Sequence, residues 1–396
     1  MSATIKKSAQ LRKEILRNLY AGSSLSLNEL SKLTQKSLPN VTTVVNELIV
    51  EEFIISEGLA PSSGGRRPSM FLLNPKKERF IVSVAVDQMV TRMLIYNLTH
   101  SIQLPLQVIE IDTYTDVDAL EKLVNFIKAN IEKSGLHPDH LLGVGIGMPG
   151  FVNIEKGINY TLFPTADGES LKDYLTRQLN LPVFIDNDSS LIAMAELKFG
   201  KAKGKQDVMV INVGWGTGLG MIIDGKIFRG HSGFAGEFSH IPLSGNHQLC
   251  SCGKRGCLEV ETSLLVMARK AKAQVEAGVE SSMKRLFLDQ TKHAGDHFLT
   301  AANSGDPLAI SILSDASFHL GKGVATLIHI MNPEKIVLSG RAAVAGKMFM
   351  PSIQQAINEF CIPRIAESTQ IEVSEIANDA ELVGAANMVI ERTEFL

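Results

Sequence analysis

The chain has 396 residues, 45% of them hydrophobic and 20% charged, with a formal net charge of −3 and four cysteines. That length allows two or three domains with a sizeable core, and the composition is that of an ordinary soluble globular protein. No apolar run approaches the ~20 residues of a membrane span, and "MSATIKKSAQLRKE" lacks the apolar stretch of a secretory signal, so no membrane insertion and a cytoplasmic location are expected. The charge is unevenly spread. Residues 1–79 carry seven Lys and five Arg against seven Glu, a net of +5, which leaves −8 on the remainder. A basic end on an acidic body suggests a polyanionic partner for the first segment.

In chain order, Leu11, Ile15, Leu16 and Leu19 recur at helical spacing and predict an amphipathic helix over roughly residues 6–20. "SLNELSKL" follows, in which Ser26 and Glu29 form a capping box. After a short polar turn, "SLPNVTTVVNELIVEEFI" predicts a third helix, with Ser37 as cap and Pro39 tolerated in the first turn. Val41, Val44, Val45 and Leu48 would face inward and Asn40, Thr42, Thr43 and Asn46 outward. This pattern suits a helix-turn-helix, or a plain three-helix packing module. The next stretch, "FIISEGLAPSSGGRRPSMFLLN", reads as strand, Gly/Ser/Pro-rich tip and strand, with Arg66 and Arg67 at the tip. A wing of that kind favours a winged helix-turn-helix on double-stranded DNA. The outward helix face would enter the major groove and the two Arg the adjacent minor groove.

From Phe80 the pattern changes to strands and punctuation. "FIVSVAVDQMVTRMLIYNL" and "VMVINVGWGTGLGMIIDGKIF" share a strand–turn–strand rhythm at an offset of 127, which hints at two similar lobes. The glycine-rich turn of the second copy offers Gly216, Thr217 and Gly218 as a weak phosphate cradle. "NPEKIVLSGRAA" predicts a strand and a small-residue turn that could admit a flat base or pack a helix on a sheet. Between the lobes, "LPVFIDNDSS" runs a buried strand into Asp186, Asn187 and Asp188. Carboxylates at a strand's C-terminal end suit a general base or a hydroxyl-binding group; capping of the next helix by Asp188 or Ser189 is the alternative.

Three cysteines, Cys250, Cys252 and Cys257, crowd into "CSCGKRGC". In a reducing compartment such a cluster suits a metal better than a disulfide. With His240 they make a Cys₃His set that would fill tetrahedral Zn²⁺ and leave no open position, hence a structural zinc; His247 is the alternative imidazole. Cys361 stands apart and is expected to be simply buried.

The run Gly233–His240 followed by "CSCGKRGCLE" resembles the signature of the ROK family of repressors, open reading frames and kinases, and the resemblance extends from Phe80 to the C-terminus. The N-terminal segment with "GGRRP" resembles the ROK transcriptional repressors. The resemblance implies an α/β, actin-like, hexokinase-type fold of two ribonuclease H-like lobes behind a winged-helix DNA-binding domain. The corresponding domains are 1–79, 80–195 as the smaller lobe and 196–396 as the larger lobe with the zinc, the C-terminal helix being free to return to the smaller lobe. It also implies sugar contacts from Asn187, Asp188, Glu237, His240 and Glu259. Asp188 would be the catalytic base of an active kinase, and His240 would serve both sugar and zinc, which favours it over His247.

Two departures from the family pattern stand out. Ser239 replaces a usual Gly and should alter the loop shape slightly. "DQMVT", Asp87 to Thr91, replaces the open turn that holds ATP phosphates in the kinases, so ATP and Mg²⁺ binding is expected to be impaired. The expected protein is therefore a sugar-responsive DNA-binding regulator of carbohydrate genes, most simply a repressor. It would act as a homodimer or tetramer with a sugar or sugar-derivative effector, and a sugar-transport protein is a further partner the family allows. The alternative is an ATP-dependent hexose or N-acetylamino-sugar kinase that carries a DNA-binding domain.

Overall fold

The computed structural model describes residues 3–22, 24–59, 67–165, 168–289 and 291–395. The chain divides into two units, one of Met1–Ile146, Phe163–Ile185 and Ala385–Leu396, the other of Gly147–Leu162 and Asp186–Gly384.

The first unit begins with helix α1 (Ala3–Gly22), which buries Leu11, Ile15, Leu16 and Leu19 as their spacing demands. Strand β1 (Ser24–Ser26) leads into α2 (Leu27–Thr34). The capping box forms: Glu29 accepts the Ser26 N–H at 2.8 Å, and the Ser26 hydroxyl accepts the Glu29 N–H at 3.3 Å. Helix α3 (Leu38–Val50) buries Val41, Val44, Val45 and Leu48. Ser37 occupies its N-cap position without a side-chain capping bond, so its contribution is extended backbone alone.

Strands β2 (Ile54–Leu59) and β3 (Ser69–Leu73) follow, and the three strands form a small sheet in the order β1-β3-β2. The sequence pattern missed β1, since three residues are too few to show alternation. The wing tip with Arg66 lies outside the described residues; Arg67 is exposed. Helix α1 is also tied down within this unit, by a bond between His100 Nε2 and Tyr20 O at 2.9 Å and by Arg17 on the carbonyls of Ile390 and Glu391.

The main sheet of the first unit contains β4 (Phe80–Val86), β5 (Val90–Asn97), β6 (Ile102–Glu110), β7 (Leu141–Met148) and β8 (Val183–Asn187), in the order β8-β7-β4-β5-β6. Helices α4 (Ala119–Ser134) and α5 (Leu171–Leu179) lie in the connections. β4 and β5 are buried along their whole length, which explains their unbroken apolar runs.

The second unit holds a short hairpin (Val152–Asn153 with Ile158–Asn159), α6 (Asp188–Phe199), β9 (Val208–Val213), β10 (Thr217–Ile223) and β11 (Lys226–Phe228). Then come α7 (Leu264–Glu276), α8 (Ala294–Asn303), α9 (Pro307–Met331), β12 (Lys335–Ser339), α10 (Gly346–Phe360), β13 (Gln370–Val373) and α11 (Ala380–Arg392), which runs on into the first unit at Ala385. Its sheet order is β11-β10-β9-β12-β13, with β9 antiparallel to β10 and parallel to β12.

Both sheets thus share one plan: an antiparallel run of three strands, then two helix-linked strands added on the far side of the first. The offset of 127 carries β4 and β5 onto β9 and β10 within a residue. The third strands differ. β6 has nine residues and β11 has three, because the chain after Phe228 leaves the sheet to form the loop described below.

Candidate functional site

Strand β8 delivers Asp186, Asn187 and Asp188 to the start of α6. Asn187 is the helix cap, its side chain accepting the Ser190 N–H at 3.2 Å, while its Nδ2 donates to Gly150 O at 3.2 Å. Capping therefore falls to neither Asp188 nor Ser189. Asp188 Oδ1 accepts the N–H and hydroxyl of Ser189 at 2.7 and 3.2 Å, and Oδ2 accepts from Asn212 at 3.4 Å. Asp186 is wholly buried and takes both arms of the Arg229 guanidinium, at 2.8 and 2.6 Å. A buried carboxylate needs such a partner. Arg229 opens the loop that follows β11, and its carbonyl accepts the Ala235 N–H at 3.0 Å. One ion pair therefore fixes the base of that loop to the Asp186–Asp188 corner.

The loop carries Glu237, Ser239 and His240. Burial raises the pKa of Glu237, and its carboxylate lies 3.7 Å from His240 Nε2. Glu259 sits on the helical turn Glu259–Thr262 and accepts the Thr217 N–H at 2.9 Å. Burial pushes its pKa up to about 7, against the hydrogen bonds from Thr217 and Ser239, and the charges of Asp188 and Glu237 push the same way. Ser239 therefore does more than reshape the loop: its hydroxyl serves Glu259.

His240 turns its other nitrogen toward the cysteines, with Nδ1 3.6 Å from Cys250 Sγ, and Cys252 and Cys257 have their sulfurs 3.7 Å apart. The donor atoms of His240, Cys250, Cys252 and Cys257 all lie within 4.8 Å of one another. Sulfur–sulfur spacing around tetrahedral Zn²⁺ is ~3.8 Å, from Zn–S bonds of ~2.3 Å, whereas a disulfide needs ~2.05 Å. The quartet fits a metal ion, and His247 is not part of it. Beneath it, Glu261 takes the Ser244 hydroxyl at 2.7 Å and the Asn246 amide, and Lys270 at 2.8 Å. A second acidic group, Glu261, Asp315 and His319, already contains that lysine and so is poorly suited to a cation.

In the glycine-rich turn, the donors of Thr217 already have partners within the protein. The N–H of Thr217 is spent on Glu259, and its hydroxyl pairs with Thr262 at 3.0 Å. Gly218 and Gly220 serve packing, since a Cβ at either would meet Ser189 or Ala193 of α6 within 2.4 Å. Trp215 is buried in the turn, edge-on to His293 with centroids 5.5 Å apart and with the Arg341 guanidinium 4.9 Å from its ring. The small-residue turn after β12 likewise packs the core, with Ala342 and Ala345 buried.

At "DQMVT" the Gln88 N–H is held by Asp87 Oδ1 at 2.9 Å, and the carbonyls of Gln88 and Met89 accept from Thr113 and Ile111 at 3.0 and 3.1 Å. Cys361 is buried, as expected. On α3, Asn40, Thr43 and Asn46 are exposed and Thr42 partly so; the two Thr hydroxyls bond back to Leu38 O and Pro39 O at 2.8 and 3.0 Å.

The sequence singled out neither Arg229 nor Asn212. Each meets its partner across more than twenty residues, a pairing that no local pattern signals.

The ROK family model matches residues 100–392. The chain is 29% identical to a xylose repressor of Caldicellulosiruptor bescii over 380 residues, 95% of this chain and 94% of that one. It is similar, with a TM-score of 0.73 and 25% identity over 96% of both chains, to the crystal structure of a ROK family transcriptional regulator homologous to the E. coli MLC protein. It is also similar to a ROK family glucokinase from Streptomyces griseus in complex with glucose and AMPPNP, with a TM-score of 0.66 and 28% identity over 78% of this chain and 98% of that one. No helix among the described residues is long and apolar enough to cross a membrane. By these matches and by its duplicated actin-like sheets, the chain belongs to the ROK family.

Proposed function

We propose that this protein is a sugar-responsive transcriptional repressor whose kinase-like body senses an aldose and does not phosphorylate it. The observation that carries the reading is coverage: the repressor is matched from head to body over 95% of this chain, the glucokinase over 78%. D-xylose is the first effector to test, because the repressor similar in full length is named for xylose.

Residues 1–79 act as a winged helix-turn-helix, supported by the order α1-β1-α2-α3-β2-β3 and the sheet β1-β3-β2. Asn40, Thr42, Thr43 and Asn46 on α3 read the major groove, and Arg66 and Arg67 contact the minor groove. The body divides near residue 195 into a smaller and a larger lobe, and the chain works as a homodimer or tetramer in the cytoplasm on a near-palindromic operator. Asn187, Asp188, Glu237, His240 and Glu259 bind the sugar's hydroxyls. His240, Cys250, Cys252 and Cys257 hold one Zn²⁺, which when bound supplies a fixed cross-link between the loop of Glu237 and the turn of Glu259. A sugar releases DNA by favouring one of two states of the protein, so it must bind them unequally.

The test is selection of a binding site from random duplex DNA, followed by titration with D-xylose. A recovered palindrome whose affinity falls with sugar supports the reading; absence of any selected sequence overturns it. Wing Arg→Ala variants should flatten the salt dependence.

The position of Asp188 at the start of α6 favours a second reading, an ATP-dependent sugar kinase with Asp188 as base. ADP release with sugar, lost in Asp188→Asn, would establish it.

A further inference from the structure

The carboxylate–imidazole corner has an apolar neighbour. Segment 149–161 is a hairpin held by its own side chains. Asn159, which is buried, accepts the N–H groups of Thr161 and Leu162 at 2.9 and 3.0 Å and donates to Pro149 O at 3.0 Å. The Thr161 hydroxyl accepts the Phe151 N–H at 3.0 Å, and Tyr160 N donates to Phe151 O at 2.9 Å. This frame fixes two aromatic side chains that remain 41% and 55% exposed, Phe151 and Tyr160. Phe234, on the loop of Glu237, meets both edge-on, with centroids 5.5 and 6.0 Å away.

The two supports of this cluster are stitched to two adjacent residues, one each. Gly150, next to Phe151, accepts from Asn187, and Arg229, five residues before Phe234, pairs with Asp186. Asp188 is the next residue. The backbone that carries the aromatic cluster is thus anchored to the strand end that presents Asp188.

We propose that Phe151, Tyr160 and Phe234 form an aromatic platform that receives the apolar face of a neutral monosaccharide and decides which sugars the corner accepts. The inference rests on the sugar-effector reading above and deepens it. A sugar ring is two-natured, with hydroxyls at its rim and C–H groups on its faces. The corner's side chains serve the rim but offer nothing to a face. Half-exposed aromatic rings do so, and they exclude water from the polar contacts. An epimer that turns a hydroxyl toward such a ring leaves that hydroxyl unpaired, which is how an uncharged surface discriminates. Asp188, with the acidic side chains of Glu237 and Glu259 beside it, makes the corner unfavourable to an anionic ligand, so the sugar is unphosphorylated. A scaffold locked by Asn159 and Thr161 spends little ordering entropy on binding.

The test is calorimetric titration of the zinc-loaded, full-length protein with D-xylose and D-glucose. It compares the native chain with Phe151→Ala, Tyr160→Ala, Phe151→Leu, Tyr160→Leu and Asp188→Asn. Leu retains the apolar bulk without the ring, so it rescues a packing role and not a platform. A dissociation constant raised about five- to tenfold in both the Ala and the Leu variants, with zinc content and melting temperature kept in the Leu variants, is the expected result.

Affinities within twofold of native, or rescue by Leu, overturn the platform while sugar binding lost in Asp188→Asn still upholds the effector reading. A change of oligomeric state in sedimentation with native sugar affinity makes the patch an association surface and also overturns it. A native protein that binds neither sugar overturns both readings together.

Discussion

The turn between β4 and β5 and its counterpart between β9 and β10 occupy equivalent places in two copies of one sheet, and a carboxylate of the protein fills a backbone N–H in each. In the first, Asp87 reaches the N–H of the residue beside it, Gln88, while the segment Ile111–Thr113 takes the turn's carbonyls. In the second, Glu259 comes from 42 residues away to the N–H of Thr217, and Trp215 fills the bend. An N–H that already holds a carboxylate is a poor seat for phosphate. The first closure is local and the second is tertiary, so a glycine-rich turn says little about anion binding until its neighbours are known.

The largest effect that would break this comparison is loss of the metal proposed for the Cys/His quartet. Chelation, or Cys257→Ser, frees the segment that carries Glu259, and the second turn loses its carboxylate while the first keeps its own. Sugar binding should vanish and zinc content should fall from about one per chain, as measured by calorimetry and elemental analysis. Next comes Trp215→Ala, which removes a buried ring from the second turn. It should cost about 3–5 kcal/mol in denaturant unfolding without creating Mg-ATP binding, because Glu259 still holds Thr217. ATP binding by this variant would show that the indole alone closes the turn.

Gly220→Ala should cost about 1–3 kcal/mol, since its Cβ would lie 2.4 Å from Ala193 Cβ and from Ser189 O. The equivalent residue of the first sheet, Met93, carries a full buried side chain, so the requirement for glycine belongs to α6 pressing on β10. The smallest effect is that of Asp87→Ala, which removes the short-range hydrogen bond to the Gln88 N–H and should cost about 1 kcal/mol in the same unfolding measurement.

Much of the head was legible because its signals are local. The stripe of Val41, Val44, Val45 and Leu48 and the box of Ser26 and Glu29 each fall within two helical turns. The duplicated sheets were legible as a weak repeat, because the first two strands of each copy match in position and length to within a residue. The short third strand, β11, was not, since no residue pattern announces that a chain will leave a sheet to build a loop. Phe151 and Tyr160 were passed over for a similar reason: isolated aromatic residues carry no period, and only the hairpin sets them together.

By itself the sequence determined the composition of the metal quartet, the helices of the head and the signature that marks the family, all of which depend on residue identity and near-neighbour spacing. Only the tertiary structure decided that Asn187 and not Asp188 caps α6 and that Arg229 anchors the site loop, and it groups with the cysteines His240, which the family resemblance favoured, and not His247. Those outcomes depend on which distant groups reach hydrogen-bonding distance, and that distance is set by packing across the whole unit.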